Sequence, residues 1–139
     1  MGPVQGQVPG NAHFMLTFAN AYWDMPGGAR FLTLRFTDFQ GSCMNGINWP
    51  QGTSGVELEV VIPQDKVQVA SYAIDKSSPR GGTAPTAEIL FGAFQQMSDV
   101  ALSGTLDLQE ASPTQVSGWL SLSNGASQVA GTFSIPLCP

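Results

Sequence analysis

Three runs toward the C-terminal end share one pattern: "LSGTLDL" at 102–108, "VSGWLSL" at 116–122 and "VAGTFSI" at 129–135. In each, a glycine falls in phase with large apolar residues at alternate positions: Leu102, Leu106 and Leu108; Val116, Leu120 and Leu122; Val129, Phe133 and Ile135. A period of two is the signature of a strand with one face turned inward. Gly104, Gly118 and Gly131 follow one another at intervals of fourteen and thirteen residues, one strand and one turn per copy. The runs are therefore predicted to lie side by side as antiparallel strands. Glycine weakens a strand interior, so its recurrence on the apolar face needs a geometric reason. Missing side chains let strands bend sharply, or let a bulky group cross the core. Three copies are too few and too short for a propeller or solenoid.

The same alternation runs through the rest of the chain. "HFMLTFANAYW" places Phe14, Leu16 and Phe18 on one face; "ARFLTLRFTDF" places Leu32, Leu34 and Phe36 opposite Thr33, Arg35 and Thr37. "GVELEVVIP" sets Val56, Leu58, Val60 and Ile62 against Glu57 and Glu59, and "KVQVASYAI" and "AEILFGAFQQM" follow. Ten prolines and sixteen glycines punctuate these runs too often for long helices. "GGARF" at 27–31 and "SNGAS" at 123–127 read as tight hairpin connections. "MSDVAL" could start a short helix capped by Ser98, but Val100 and Leu102 continue the strand alternation, which favours a strand. Residues 40–55 and 76–86 read as irregular. The expected architecture is all-β: an antiparallel β-sandwich or flattened β-barrel of about eight to nine strands, with residues 1–139 forming one domain.

Charge narrows the partners. Ten acidic residues against five basic ones give a formal charge of −5, and Arg30, Arg35, Lys66, Lys76 and Arg80 are scattered. Nucleic acid and anionic membrane surfaces both need a clustered basic face, so neither is expected. No apolar run approaches the length of a bilayer-spanning helix. The chain has two cysteines, Cys43 and Cys138, with no C-x-x-C and no companion histidines. That pattern favours one structural disulfide and an oxidising compartment, over two small buried thiols in a reducing one.

The order "LTLRFTDFQGSC", a polar middle, then "SGTLDL…VSGWLSL…VAGTFSIPLC" resembles a broad group of small bacterial secreted proteins and lipoproteins. In that group, strands of the form x-G-x-[FL]-x-[LIV] precede a terminal G-T-F-x-[AIP]-x-C. The resemblance covers residues 31–44 and 100–139. It implies an exported all-β domain with Cys43 paired to Cys138, and carries no activity and no functional residue with it. The lipidated cysteine of such lipoproteins, and with it any lipid anchor, would lie before Met1.

Few residues carry chemistry. A Ser–His–acid triad would have to use His13, the single histidine, which lies in a strand-like run facing away from Phe14 and Leu16. "GTSG" at 52–55 lacks the G-x-S-x-G of a nucleophile elbow. His13, Cys43 and Cys138 do not make up a four-ligand zinc site, and the chain holds no recognised calcium loop and no phosphate-binding glycine motif. No metal or cofactor is expected. Glu57 and Glu59, two apart on a strand, project from one face about 7 Å from each other, a separation open to an inverting glycosidase. The preferred reading is a solvated strand face that also blunts a sheet edge. Trp119, Trp49 and Trp23 are the candidate binding residues, since exposed aromatics stack on sugars or anchor protein partners. Trp119 should stand among Ser117, Ser121, Thr105 and Thr132.

These features point to a non-catalytic binding or interaction module, secreted, periplasmic or anchored at the cell surface, with a protein or glycan partner. The alternatives are a small barrel enclosing an apolar ligand, as lipocalin-like and avidin-like folds do, and a carbohydrate-active enzyme using Glu57 and Glu59. A cavity lined by Phe14, Phe18 and Phe36 would favour the barrel.

Overall fold

The computed structural model describes residues 2–10, 13–24, 30–40, 54–93 and 95–138. Eleven strands lie within them: β1 (Gln5–Gln7), β2 (Phe14–Met15), β3 (Phe18–Asp24), β4 (Phe31–Thr37), β5 (Ser54–Pro63), β6 (Ala70–Ile74), β7 (Thr86–Ala93), β8 (Gln96–Ala101), β9 (Ser103–Ala111), β10 (Gln115–Asn124) and β11 (Ser127–Pro136). A six-stranded sheet has the order β2-β1-β11-β10-β9-β6, and a five-stranded sheet the order β3-β4-β5-β7-β8. All named strand pairs are antiparallel. The two sheets form a sandwich and do not close into a barrel.

Eleven strands stand where eight or nine were expected because the chain changes sheets twice within runs that read as continuous. The first crossing is at Leu16 and Thr17, between β2 in one sheet and β3 in the other. It shifts the phase of the alternation. Phe14 and Leu16 are buried, whereas Phe18 is 41% exposed and opposite Thr37, so Phe14, Phe18 and Phe36 do not share an interior. The second crossing is at Leu102, fully buried at the corner, whose N–H donates to the Ala87 carbonyl at 2.9 Å. It separates β9 from β8, which contains most of the "MSDVAL" stretch in extended form.

Between the sheets lies a core of alternate strand residues. Leu32, Leu34 and Phe36 of β4 and Leu58, Val60 and Ile62 of β5 meet Leu106, Leu108, Leu120 and Ile135 of the six-stranded sheet. Phe36 and Phe133 span the gap edge-to-face, with ring centroids 5.4 Å apart.

The three repeated glycines each sit across the ladder from a buried leucine: Gly104 from Leu122, Gly118 from Leu108 and Gly131 from Leu120. A Cβ at Gly118 would lie 1.9 Å from the Asp107 carbonyl oxygen, and one at Gly104 2.0 Å from that of Ser121. A neighbouring main chain thus occupies the place a side chain would need. A bulge between Ser117 and Gly118 marks the same irregularity in the ladder. The "SNGAS" connection is a two-residue hairpin loop in which Gly125 has φ +60°, the first-position geometry of a type II′ turn. The "GGARF" connection lies largely outside the described residues.

Candidate functional site

Because β4 and β5 are interior strands of the five-stranded sheet, their outward-facing residues have neighbours on both sides. One row across that outer face reads Asn20, Arg35, Glu59 and Glu88; the next reads Phe18, Thr37, Glu57, Leu90 and Asp99. The segment between β6 and β7 lays Arg80 over the sheet, where it pairs with Glu59 and, at 3.0 Å, with Glu88. Arg35 Nε lies 2.9 Å from Glu57 Oε1, poorly aligned as a hydrogen bond. The same guanidinium donates to the Tyr22 hydroxyl and stacks 4.8 Å from its ring centre.

Glu57 and Glu59 were expected on a solvated face and are instead buried, at 2% and 7% exposure. The correction has a physical cause. Period-two alternation separates the two faces of a strand, but it does not reveal whether another segment covers the outer one.

Burial has electrostatic consequences. Glu57 is pushed up to about 7, first by loss of hydration and then by the neighbouring Glu59 charge, against the pull of Arg35. Glu88 also rises to about 7, through burial and a hydrogen bond with Asp99 that favours a shared proton. Raised carboxyl groups in a cleft are a recognised mark of catalytic sites, but structural ion networks produce them too. The cleft beside Glu59, Arg80, Thr86 and Glu88 holds about 50 Å³. That is room for a few waters, each needing about 10–15 Å³ of such space, and not for a sugar ring. Glu57 and Glu59 are capped by Arg35 and Arg80, and among the described residues neither is presented to a substrate-sized opening.

The tryptophans are placed differently from one another. Trp49 lies outside the described residues. Trp23 packs half-buried against the edge of the core, with the Arg30 guanidinium 4.6 Å over its ring. Near this end of the sandwich a groove of about 660 Å³ runs between Phe31, Pro63 and the Gly81–Gly82 turn. Trp119 stands half-buried on the outer face of the six-stranded sheet, directly between Asp107 of β9 and Thr132 of β11. Ser117 and Ser121 flank it along β10, and Thr105 lies diagonally, across from Ser121. Asp107, fixed by a 3.1 Å hydrogen bond from Ser71, is the charged neighbour that alternation does not reveal, since it is visible only once the β9–β10 register is known.

Two further, mostly polar rows continue from Trp119 along this face: Thr105, Ser121, Ala130, Gln5 and the exposed Met15, then Ser103, Ser123, Gln128 and Gln7. The β10, β11 and β1 members of these rows, with exposed His13, border a shallow groove of about 450 Å³. No Asp, Glu, Lys or Arg lines it. At the chain end, the Cys138 N–H donates to Ala21 of β3 at 2.8 Å; Cys43 lies outside the described residues. Among the described residues no helix is long and apolar enough to cross a membrane, and no group of three His, Cys, Asp or Glu side chains is placed to hold a metal ion. No protein-family model, curated protein or solved structure matches the chain.

Proposed function

We propose that this protein is a non-catalytic, extracytoplasmic binding module that engages a protein or glycan partner through the outer face of its six-stranded sheet. One observation carries the reading: a half-buried tryptophan, Trp119, in the middle of a sheet face whose other side chains are mostly small, polar and exposed. A ring held by its strand neighbours loses little freedom on binding, and its remaining face offers apolar area to a partner. The sheet interior is taken up by leucine, isoleucine and valine side chains, so the reading places the ligand outside the sandwich rather than within it. Export is supported by the absence of a free cysteine among the described residues and by the resemblance to secreted and lipid-anchored domains, in which Cys43 and Cys138 pair.

The test is the Trp119→Ala variant. Partner binding, measured on immobilised glycans and on isolated cell-surface protein, should fall by roughly tenfold or more, the range for loss of an aromatic anchor. The urea midpoint should move by less than about 1 kcal/mol, as for a surface residue. A variant that unfolds would place Trp119 in the fold's support rather than in its binding surface. Trp119→Phe, which keeps a ring on the sheet, should retain both fold and most of the binding.

A further inference from the structure

We infer that the face around Trp119 is built for an uncharged oligosaccharide, lying along β10 from Trp119 toward Ser123 and Gln128. This rests on the binding reading above and names its ligand class. The argument starts from what borders the groove. Gln5, Gln7, Ser121, Ser123 and Gln128 present amides and hydroxyls, each able both to donate and to accept. Gln7, Ser121, Ser123 and Gln128 are exposed and Gln5 half-buried, so their bonding capacity is open to solvent. A chain of sugar hydroxyls has the same dual character and can exchange for that water bond by bond.

Charge then separates the classes of glycan. Uronic acids, sialic acids and sulfated sugars are bound most strongly where arginine or lysine meets the anionic group. The groove has neither, and the formal charge nearest to Trp119 is the Asp107 carboxylate. An anionic ligand would meet a like charge beside Trp119, and the one cation at the hairpin end, Lys76, is engaged with the Asn124 side chain at 3.3 Å and does not line the groove. His13 is the single titratable side chain along the groove, and it lies at the far end from Trp119.

Shape agrees with an extended ligand. Trp119, Ser121 and Ser123 are successive outward residues of one strand, so the face from ring to hairpin runs roughly 13–14 Å. That is a track for several sugars in a row, with the ring stacking on one and the polar rows bonding to those that follow. A protein partner would find little here to bury beyond the one ring until the far edge, where Met15 lies beside Gln5, because the face between them is mostly serine, threonine and glutamine, residues that seldom anchor protein interfaces.

The experiment uses the whole chain in native affinity gels and calorimetry against soluble neutral polysaccharides (hydroxyethylcellulose, xylan, galactomannan, β-1,3-glucan and pullulan), with polygalacturonate and hyaluronate as acidic counterparts. At least one neutral polymer should bind, with affinity that changes little from low to about half-molar salt. Trp119→Ala should weaken it roughly tenfold or more. Gln128→Glu and Ser123→Glu, exposed changes that leave the core untouched, should weaken it too. Binding confined to the acidic polymers, or to a protein through Trp119, would overturn the glycan assignment and leave the binding reading standing. A neutral polymer that binds equally well to all three variants would also overturn it. Failure of the neutral and acidic polymers and of cell-surface protein to bind in any Trp119-dependent way would overturn both.

Discussion

Arg35 and Glu57 form what reads at first as a stabilising ion pair buried in the five-stranded sheet, yet the balance of forces on Glu57 runs the other way. Lost hydration and the adjacent Glu59 outweigh the arginine, and the carboxyl rises from 4.5 to about 7. A group whose acid form is favoured by the fold binds its proton more tightly folded than unfolded. Between about pH 4.5 and 7 the native state therefore carries the extra proton, and stability falls as pH rises through that window. Glu88 adds in the same direction. We expect the protein to be more stable near pH 5 than near pH 8, by on the order of 3 kcal/mol for Glu57, with a smaller part from the less buried Glu88. Urea unfolding at the two pH values measures it, and a protein more stable at the higher pH would show that the arginines dominate. Glu57→Gln mimics the protonated form. It should leave stability near pH 5 almost unchanged and raise it near pH 8, against the intuition that breaking an ion pair always costs. Arg35→Met should do the reverse, losing about 3–5 kcal/mol near pH 8 because Glu57 is left buried without its cation while Glu59 keeps Arg80, and less near pH 5 where Glu57 can take up a proton. None of this was legible from "GVELEVVIP", where Glu57 and Glu59 alternate with apolar residues as they would on any solvated strand. The covering arginine comes from a segment more than twenty residues away.

At the level of elements, the sequence was most informative where alternation, glycine and turn chemistry agreed. The β9–β10–β11 unit follows the repeat as read, and its hairpin falls on Gly125. What escaped was the pair of sheet crossings, since a chain that turns a corner keeps its apolar residues while silently changing phase, as Phe18 does. The glycines allow a comparison of two kinds of cost within one unit. At Gly125 nothing lies within 4 Å of an added Cβ, so Gly125→Ala should cost only the positive-φ backbone strain, roughly 1–3 kcal/mol. At Gly118 the Asp107 carbonyl already fills the position. Gly118→Ala must part β9 from β10 at the bulge, and a loss of about 3 kcal/mol or more in urea unfolding is expected, at or beyond the upper end of overpacking costs. If Gly118→Ala proves the milder of the two, the close strand approach is not what the repeated glycine provides.

For the whole molecule, the last strand decides how the sandwich is tied. After β11 the chain crosses to the five-stranded sheet, where Leu137 bridges Ala21 in parallel and the Cys138 amide bonds to the Ala21 carbonyl. The C-terminal segment thus closes one open side between β11 and β3, which the contact between those two strands reinforces. A disulfide from Cys138 to Cys43, the pairing the export reading requires, would lock that closure and enclose about ninety-five residues, β5 through β11. Most of its effect falls on the unfolded chain. Linking residues that far apart removes conformational freedom worth about 4–5 kcal/mol at room temperature, in the chain-entropy account. The denatured, unreduced protein should therefore show no reactive thiol, and full reduction should expose two per chain. Reduction should also lower the urea midpoint by a corresponding amount, while the reduced protein keeps its strand content, because the leucine-rich interior and the Ala21 bonds do not depend on the sulfurs. Two thiols titrating without reductant would remove the link between the cysteines and an oxidising compartment. The sheet-to-sheet closure at Ala21 would then have to hold by hydrogen bonds and packing alone, and reductant would leave the midpoint where it was.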